Sequence, residues 1–102
     1  MSEITLPNSY ENYSFEYIAD RKLYKIRLCT FRGILYADVY MNNKLLCAGV
    51  RCICDQWLIT RGDMVLSGNF RFESSSQDYP TYDSLSKTCF LKYYSAEEIA
   101  RL

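Results

Sequence analysis

The sequence contains no histidine. Histidine is the commonest general base in enzymes and the commonest metal-ligating side chain. Its absence excludes Ser-His-Asp and Cys-His nucleophilic chemistry and leaves no nucleophile with an evident base. The carboxylates in or near predicted turns are expected to be solvated surface groups; they are Asp55, Asp63, Glu73, Asp78 and Asp83. We therefore expect a protein that is not an enzyme, with no catalytic residues, no cofactor and no metal.

Net charge is also missing, because 12 Lys and Arg residues balance 12 Asp and Glu residues. A neutral chain offers no electrostatic attraction for nucleic acid or for an anionic membrane, so we expect neither as a partner. No apolar run approaches the ~20 residues of a membrane-spanning helix. The first residues lack the basic and apolar regions of a signal peptide. These absences predict a protein made in a reducing cytoplasm.

The five cysteines form no CxxC pair and are odd in number. A Cys-only zinc site is one interpretation, but the spacing expected of zinc ligands is absent. The favoured interpretation is reduced thiols that act as small core hydrophobes. Cys52 and Cys54 form a CxC on a predicted strand, where they are expected to point to opposite faces.

What the sequence does contain is alternation of apolar and polar residues. Residues 13–17 and 24–28 alternate strictly, which is typical of half-buried strands. Ile34–Met41 and Leu45–Ile53 continue the pattern. The predicted turns are residues 19–22, Arg32-Gly33 and Asn42-Asn43. Gly33 can take positive φ at no steric cost, and the two Asn tolerate the left-handed region that a tight hairpin demands. Residues from about 13 to 54 thus predict a four-stranded meander.

The second half is less regular. Phe70–Phe72 and Cys89–Tyr94 are predicted strands, and residues 74–86 read as a loop. Arg61-Gly62-Asp63 is predicted to be a turn, followed by an apolar piece. Ser95 and Glu98 have the spacing of a helical capping box. The prediction is an all-β protein, a small antiparallel β-barrel or β-sandwich of about six to seven strands with a short C-terminal helical turn, and residues 1–102 form one domain.

Aromatic side chains are abundant, with ten Tyr, five Phe and one Trp. Tyr favours strands, and Tyr, Trp and Arg are enriched at interfaces. The candidate interface residues are Arg27, Tyr36, Tyr40, Arg51, Trp57, Tyr79, Tyr82, Tyr93 and Tyr94. Arg27 and Arg51 either pair with Asp38 across neighbouring strands or contact other subunits. Trp57 fits either the core or an interface.

A longer pattern covers Leu23–Leu102. It consists of Tyr24–Leu28, Tyr36–Tyr40, Leu45–Arg51, an apolar segment ending at Gly62-Asp63, and Phe90–Tyr94 before an acidic turn. In order and spacing this resembles the phage baseplate plug family, small proteins of contractile tails and tail-like particles. The five cysteines and the final Ala-Arg-Leu depart from the family pattern.

The resemblance implies a structural role in the virion, plugging or bracing the central hub of the tail baseplate. It implies protein partners, namely other baseplate, hub and tail-tube proteins, and a symmetric multimer in the assembled particle. It supplies no catalytic residues to carry over. The alternative is an OB-like module that binds single-stranded nucleic acid, since aromatic and basic residues also interleave at Tyr24-Lys25 and Phe70–Phe72. The neutral charge counts against this alternative.

Overall fold

The alternating segments form strands in the computed structural model, which describes residues 1–59, 68–76 and 79–102. The elements in chain order are β1 (Ser2–Ile4), β2 (Asn12–Ala19), β3 (Lys22–Phe31), β4 (Ile34–Met41), β5 (Lys44–Arg51), β6 (Asn69–Ser74), β7 (Cys89–Tyr94) and helix α1 (Ala96–Ala100). A 3₁₀ turn at Tyr82–Ser84 precedes β7. Strands β2 to β5 form one antiparallel sheet in sequence order, which confirms the predicted meander.

Three tight turns set the register of this sheet. Each joins two strands through two residues of positive φ; the pairs are Asp20-Arg21, Arg32-Gly33 and Asn42-Asn43. Two successive positive-φ residues match the right-handed twist of the flanking strands, and Asn, Asp and Gly adopt that conformation at little steric cost. The three turns lie where the sequence predicts them, so each strand pairs with its neighbour in the chain.

The second sheet has three strands in the order β1-β7-β6, all antiparallel. β6 and β7 contain the two strands predicted in this half of the chain. β1 is not predicted, because three residues are too few to show alternation; its partner, with Ile4 opposite Leu91, is far away in sequence. The predicted turn at Arg61-Gly62-Asp63 and the apolar piece after it lie outside the described residues.

The inner faces of the two sheets form one buried cluster. Tyr24, Ile26 and Leu28 of β3 are fully buried, as are Phe70 and Phe72 of β6. The rings of Tyr24 and Phe70 meet edge to face, with centroids 5.1 Å apart. Each such aromatic side chain stabilises the fold by about 1.5–3 kcal/mol on burial. The all-β prediction is confirmed, and the barrel-or-sandwich alternative is resolved as two sheets that do not close into a barrel.

The five cysteines are free thiols, and four of them fit the favoured interpretation, since Cys52 and Cys89 are buried in the core and Cys47 and Cys54 pack against it. Cys29 does not, because it lies outside the core cluster and opposite Tyr36 of the open face. β5 ends at Arg51, so Cys52 and Cys54 do not continue the strand. Cys52 is buried in the core and half-buried Cys54 packs against it, so the two thiols do not lie on opposite faces of a sheet. Burial raises the pKa of the Cys89 thiol to about 12. Within the described ranges, no group of three or more Cys, Asp or Glu side chains has the arrangement of a metal site.

The C-terminal helical turn is confirmed with its cap. The Ser95 hydroxyl accepts a hydrogen bond from the Glu98 N–H at 3.1 Å, and the Glu98 carboxylate accepts one from the Ser95 N–H at 3.0 Å. This reciprocal pair satisfies two backbone donors that a helix start leaves free. None of the helical segments that the structure describes has the length and hydropathy of a membrane-spanning helix.

Candidate interaction surface

The outer surface of the four-stranded sheet faces away from the core and is covered by no other described element. Cross-strand partners share a face, so the register assigns its members. We call it the open face; it consists of Ser14, Glu16, Ile18, Lys25, Arg27, Tyr36, Asp38, Tyr40, Leu45 and Arg51. Ile18 is 75% exposed and Leu45 is 46% exposed. Apolar, aromatic and charged groups therefore reach solvent together here.

Four of the predicted interface residues come together on the open face: Arg27, Tyr36, Tyr40 and Arg51. Arg27 lies opposite Asp38, while Arg51 lies opposite Tyr36. A shallow depression of about 450 Å³ opens beside them, lined by Ser14, Lys25, Arg27, Tyr40 and Asn43. Its two positive charges and one tyrosine are suited to contact an acidic or polar group on another protein.

The charged groups of the open face make few contacts with each other. In the described part of the chain no ion pair joins Arg27 or Arg51 to Asp38, so the predicted cross-strand pairs do not form. The Asp38 carboxylate accepts a hydrogen bond from the Gly49 N–H at 2.7 Å instead. Arg51 stacks over the ring of Tyr79, 4.6 Å from its centroid. This stacking brings Tyr79, a fifth predicted interface residue that is 60% exposed, to the rim of the open face.

The outer surface of the three-stranded sheet is organised differently. Its central residue is Glu73, whose carboxylate lies 2.6 Å from Arg71 Nε and 3.0 Å from Lys92 Nζ and accepts a hydrogen bond from the Tyr94 hydroxyl. The Arg71 guanidinium stacks between the rings of Trp57 and Tyr94, 4.7 and 4.8 Å from their centroids. We call these five residues the saturated face, because each charged group has a partner within it.

The contacts of the saturated face lower the pKa of the Glu73 carboxyl. Burial acts to raise the pKa of Glu73, but hydrogen bonds from Tyr94, Arg71 and Lys92 together outweigh burial and lower the pKa to about 2. The hydrogen bond that Lys92 donates to Glu73 raises the pKa of Lys92. Glu73 was expected to be a solvated surface group, and this expectation is wrong, since its side chain is only 21% exposed and holds two cations.

The other predicted interface residues lie elsewhere. Trp57 and Tyr94 belong to the saturated face, where Arg71 covers both rings and leaves Tyr94 8% exposed. Tyr93 is 4% exposed, because alternation along β7 turns it into the core, and its hydroxyl donates to the Asp20 carboxylate at 2.6 Å. Tyr82 is half-buried in the 3₁₀ turn. These four residues are consequently left out of the interface proposed below.

Sequence reasoning missed two features of these surfaces. Lys25 belongs to the open face, and its position between buried Tyr24 and Ile26 would have been enough to place it there. No pattern in the sequence predicts the contacts of Glu73. They depend on the register of β6 against β7, which places Arg71 opposite Lys92.

Two antiparallel sheets with an exposed aromatic and charged face define a small β protein whose distinctive surface is suited to binding other proteins. A comparison with protein families matches residues 1–97 to the family described as cyanophage baseplate Pam3 plug gp18. Because the match covers nearly the whole chain, the protein belongs to this family of phage baseplate plug proteins, which confirms the family resemblance. No curated protein matches the chain. Membership assigns a structural role in the baseplate and a location in the virion tail.

Proposed function

We propose that this chain plugs or braces the central hub of a contractile-tail baseplate through protein–protein contacts made by its open face. The observation that carries the proposal is that exposed Arg27 and Arg51 lie beside half-buried Tyr36 and Tyr40 on one sheet surface, and that neither arginine has an ion pair among the described residues. Arg and Tyr supply much of the binding energy at protein interfaces. The partners are hub and tail-tube proteins, and the chain is made in the host cytoplasm before assembly.

The proposed role is mechanical and not catalytic. The two sheets act as one rigid unit, because the buried cluster fixes them against each other. A rigid sheet surface loses little conformational entropy on docking, which favours a lasting contact. Copies of the chain are arranged symmetrically around the tail axis, since subunits of closed assemblies obey rotational symmetry.

Charge reversal on the open face tests this proposal. Lys25→Glu combined with Arg27→Glu replaces both positive charges that line the depression. The variant chain is co-expressed with the neighbouring tail genes of its phage, and its amount in purified baseplates is measured by quantitative mass spectrometry. We expect incorporation to fall at least tenfold, because two contacts to charged groups at an interface are worth more than 1.4 kcal/mol together.

The matched control is Lys87→Glu combined with Arg101→Glu, which changes the net charge equally at two exposed positions away from both faces. It should enter baseplates at the normal level. Equal incorporation of the two variants would contradict the proposal that the open face is the docking surface. A double variant that fails to fold is recognised by its circular dichroism, and Tyr36→Ala then takes its place.

The nucleic-acid alternative has one observation in its favour, since Lys25, Arg27 and Tyr40 share a sheet surface. The fold counts against it, because the two sheets do not form the partly open barrel of an OB fold. A shift assay with single-stranded DNA at low salt separates the two. Tight and salt-sensitive binding that is lost in the Lys25→Glu, Arg27→Glu variant would favour the alternative.

A further inference from the structure

The two sheets have four edges, and three of them are poorly suited to pair with another strand. β1 has only three residues. β6 is flanked by residues 54–57, with bridges from Cys54 to Phe72 and from Trp57 to Arg71. β5 has register shifts against β4, and Gly49 at φ 64° interrupts it. Short length, coverage and bulges are the features by which proteins avoid pairing at sheet edges.

β2 is the exception. It runs for eight residues in regular register with β3, and no Pro, Gly or Lys interrupts it. A two-residue turn follows Ala19, so Ala19 and Lys22 form a hydrogen-bonded pair. Hydrogen-bonded and non-hydrogen-bonded pairs alternate along an antiparallel ladder, so the backbone groups of Tyr17, Phe15 and Tyr13 also bond to β3. The N–H and C=O groups of Ser14, Glu16 and Ile18 consequently point away from the sheet. Among the described residues, none pairs with them.

We propose that β2 pairs in antiparallel fashion with β2 of a second copy of this chain, about a two-fold axis at Phe15. The row of aromatic side chains on β2 supports a strand partner at this edge, because Tyr13, Phe15 and Tyr17 pack against the core yet are only half-buried. A neighbouring strand would cover their exposed portions while it satisfies the free backbone groups.

The register between the two copies of β2 is selected by the alternation of core-facing and solvent-facing residues and by charge. Core-facing residues must lie opposite core-facing residues, because a slip by one residue would turn one strand's apolar side chains to solvent. Any axis through a residue of β2 keeps this alternation, and the axes at Phe15 and at Glu16 pair the most residues of the strand. An axis at Glu16 sets two carboxylates directly opposite each other, which is destabilising. An axis at Phe15 sets Phe15 against its copy, Tyr13 against Tyr17 and Ser14 against Glu16, with no like charges opposed.

The paired sheets would form one continuous sheet of eight strands with both open faces on the same side. This inference extends the proposed function, since it joins the copies in pairs and doubles the docking surface of each pair. It does not depend on which partner the open face binds. The contact is isologous, as expected for a dimer with two-fold symmetry.

Removal of one outward N–H tests the pairing. Proline at Ser14 deletes a donor that the chain's own ladder does not use, and edge strands tolerate proline at such positions. The matched control, Ser14→Ala, keeps the donor. We expect the full chain and the Ser14→Ala variant to sediment as dimers at about 100 µM, and Ser14→Pro to sediment as a monomer with its circular dichroism unchanged. A full chain that stays monomeric, or a Ser14→Pro variant that stays dimeric, overturns the proposal.

Disulfide cross-linking tests the register. At a two-fold axis through Phe15 the two Cα atoms lie about 4.5–5.5 Å apart, within the range that a disulfide bridges. With oxidised glutathione as the electron acceptor, Phe15→Cys should form a covalent dimer on a non-reducing gel, and Ile18→Cys should not. The unsubstituted chain measures any background from the five native thiols. Cross-linking of Ile18→Cys and not of Phe15→Cys overturns the register.

Failure of this inference differs visibly from failure of the proposed function. A monomeric chain whose open-face charge variant still loses its place in the baseplate would overturn only the pairing of β2. Ser14 also lines the depression on the open face, so Ser14→Ala is the control for its side chain. If the chain is monomeric and Ser14→Pro excludes it from baseplates while Ser14→Ala does not, the edge binds a strand of another baseplate protein, and the second copy is overturned as the occupant. The open-face variant should itself remain dimeric, because Lys25 and Arg27 lie on β3.

Discussion

The open face and the saturated face carry the same kinds of side chain and use them differently. Each places arginine beside tyrosine on the outer surface of an antiparallel sheet. On the saturated face Arg71 and Glu73 are 23% and 21% exposed and bond to each other. On the open face Arg27 is exposed and has no ion pair among the described residues, although Asp38 lies directly opposite. The difference lies in the contacts of the charges and not in composition.

This comparison explains why sequence alone overestimates an interface. Trp57 and Tyr94 are residue types that are enriched at interfaces, but both rings stack against Arg71 of the same chain. A charged group that is already paired has to lose those contacts before it can bind a partner, whereas a solvated one exchanges water only. The open face is therefore the better candidate for docking, and the saturated face stabilises the fold.

The largest expected effect is the removal of the central carboxylate of the saturated face. Glu73→Ala leaves Arg71 and Lys92 without their shared partner, and we expect the free energy of unfolding to fall by about 2–3 kcal/mol. The matched change on the open face, Glu16→Ala, removes an exposed carboxylate and should alter stability by less than about 0.5 kcal/mol. Urea unfolding followed by circular dichroism measures both at a protein concentration low enough to keep the chain monomeric.

Similar losses for Glu73→Ala and Glu16→Ala would remove the energetic distinction between the two faces. Both variants and the unsubstituted chain are compared at one pH near 7. A change in the slope of the unfolding transition would indicate an altered denatured state and not a lost contact.

The sequence predicts all of the four-stranded sheet but only part of the three-stranded sheet, because local turns fix strand pairing in the first and not in the second. The turns Asp20-Arg21 and Asn42-Asn43 are local, and each fixes the pairing of the strands on either side. β1 and β7 are separated by most of the chain, so no turn fixes their register, and the alternation of β1 is too short to read. The contacts of Glu73 depend on the register of β6 against β7, which the sequence does not fix, so the sequence wrongly predicts a solvated side chain.

A smaller effect concerns acid stability. The pKa of Glu73 is lowered from its ordinary 4.5 to about 2 in the folded chain. A carboxyl with a depressed folded pKa adds stability that is fully present above the unfolded pKa and is lost as the pH falls toward the folded pKa. We expect a loss of about 1–2 kcal/mol between pH 5 and pH 2, reduced by solvent screening because the group is partly exposed.

The variant Glu73→Gln isolates this contribution, because it keeps the shape of the side chain and cannot titrate. Its unfolding free energy should fall less steeply with acid than that of the native chain, and the two curves should converge near pH 2. Parallel curves across the whole range would show that Glu73 is not held by its cations in solution. All other side chains are the same in the two proteins, so their contributions cancel in the difference.

The smallest effect compares one kind of contact on the two faces. Arg51 stacks on Tyr79 at the rim of the open face, and Arg71 stacks on Trp57 within the saturated face, at nearly equal distances of 4.6 and 4.7 Å. Cation–π contacts gain strength with desolvation, from about 0.5–1 kcal/mol when exposed to about 2 kcal/mol when buried. Alanine double-mutant cycles on each pair, read by urea unfolding, measure the two coupling energies.

We expect the Arg71–Trp57 coupling to exceed the Arg51–Tyr79 coupling by about 1 kcal/mol. Equal couplings would mean that the environment of the two faces does not differ, whatever their geometry. A larger coupling for Arg51 and Tyr79 would contradict the choice of the open face as the docking surface, because a strongly coupled arginine is less free to bind a partner. The two pairs share their spacing, but Trp is a stronger cation–π partner than Tyr. The Arg71 cycle is therefore run in a Trp57→Tyr background as well, and the difference that remains between equal rings reports the desolvation that separates a stabilising surface from a docking surface.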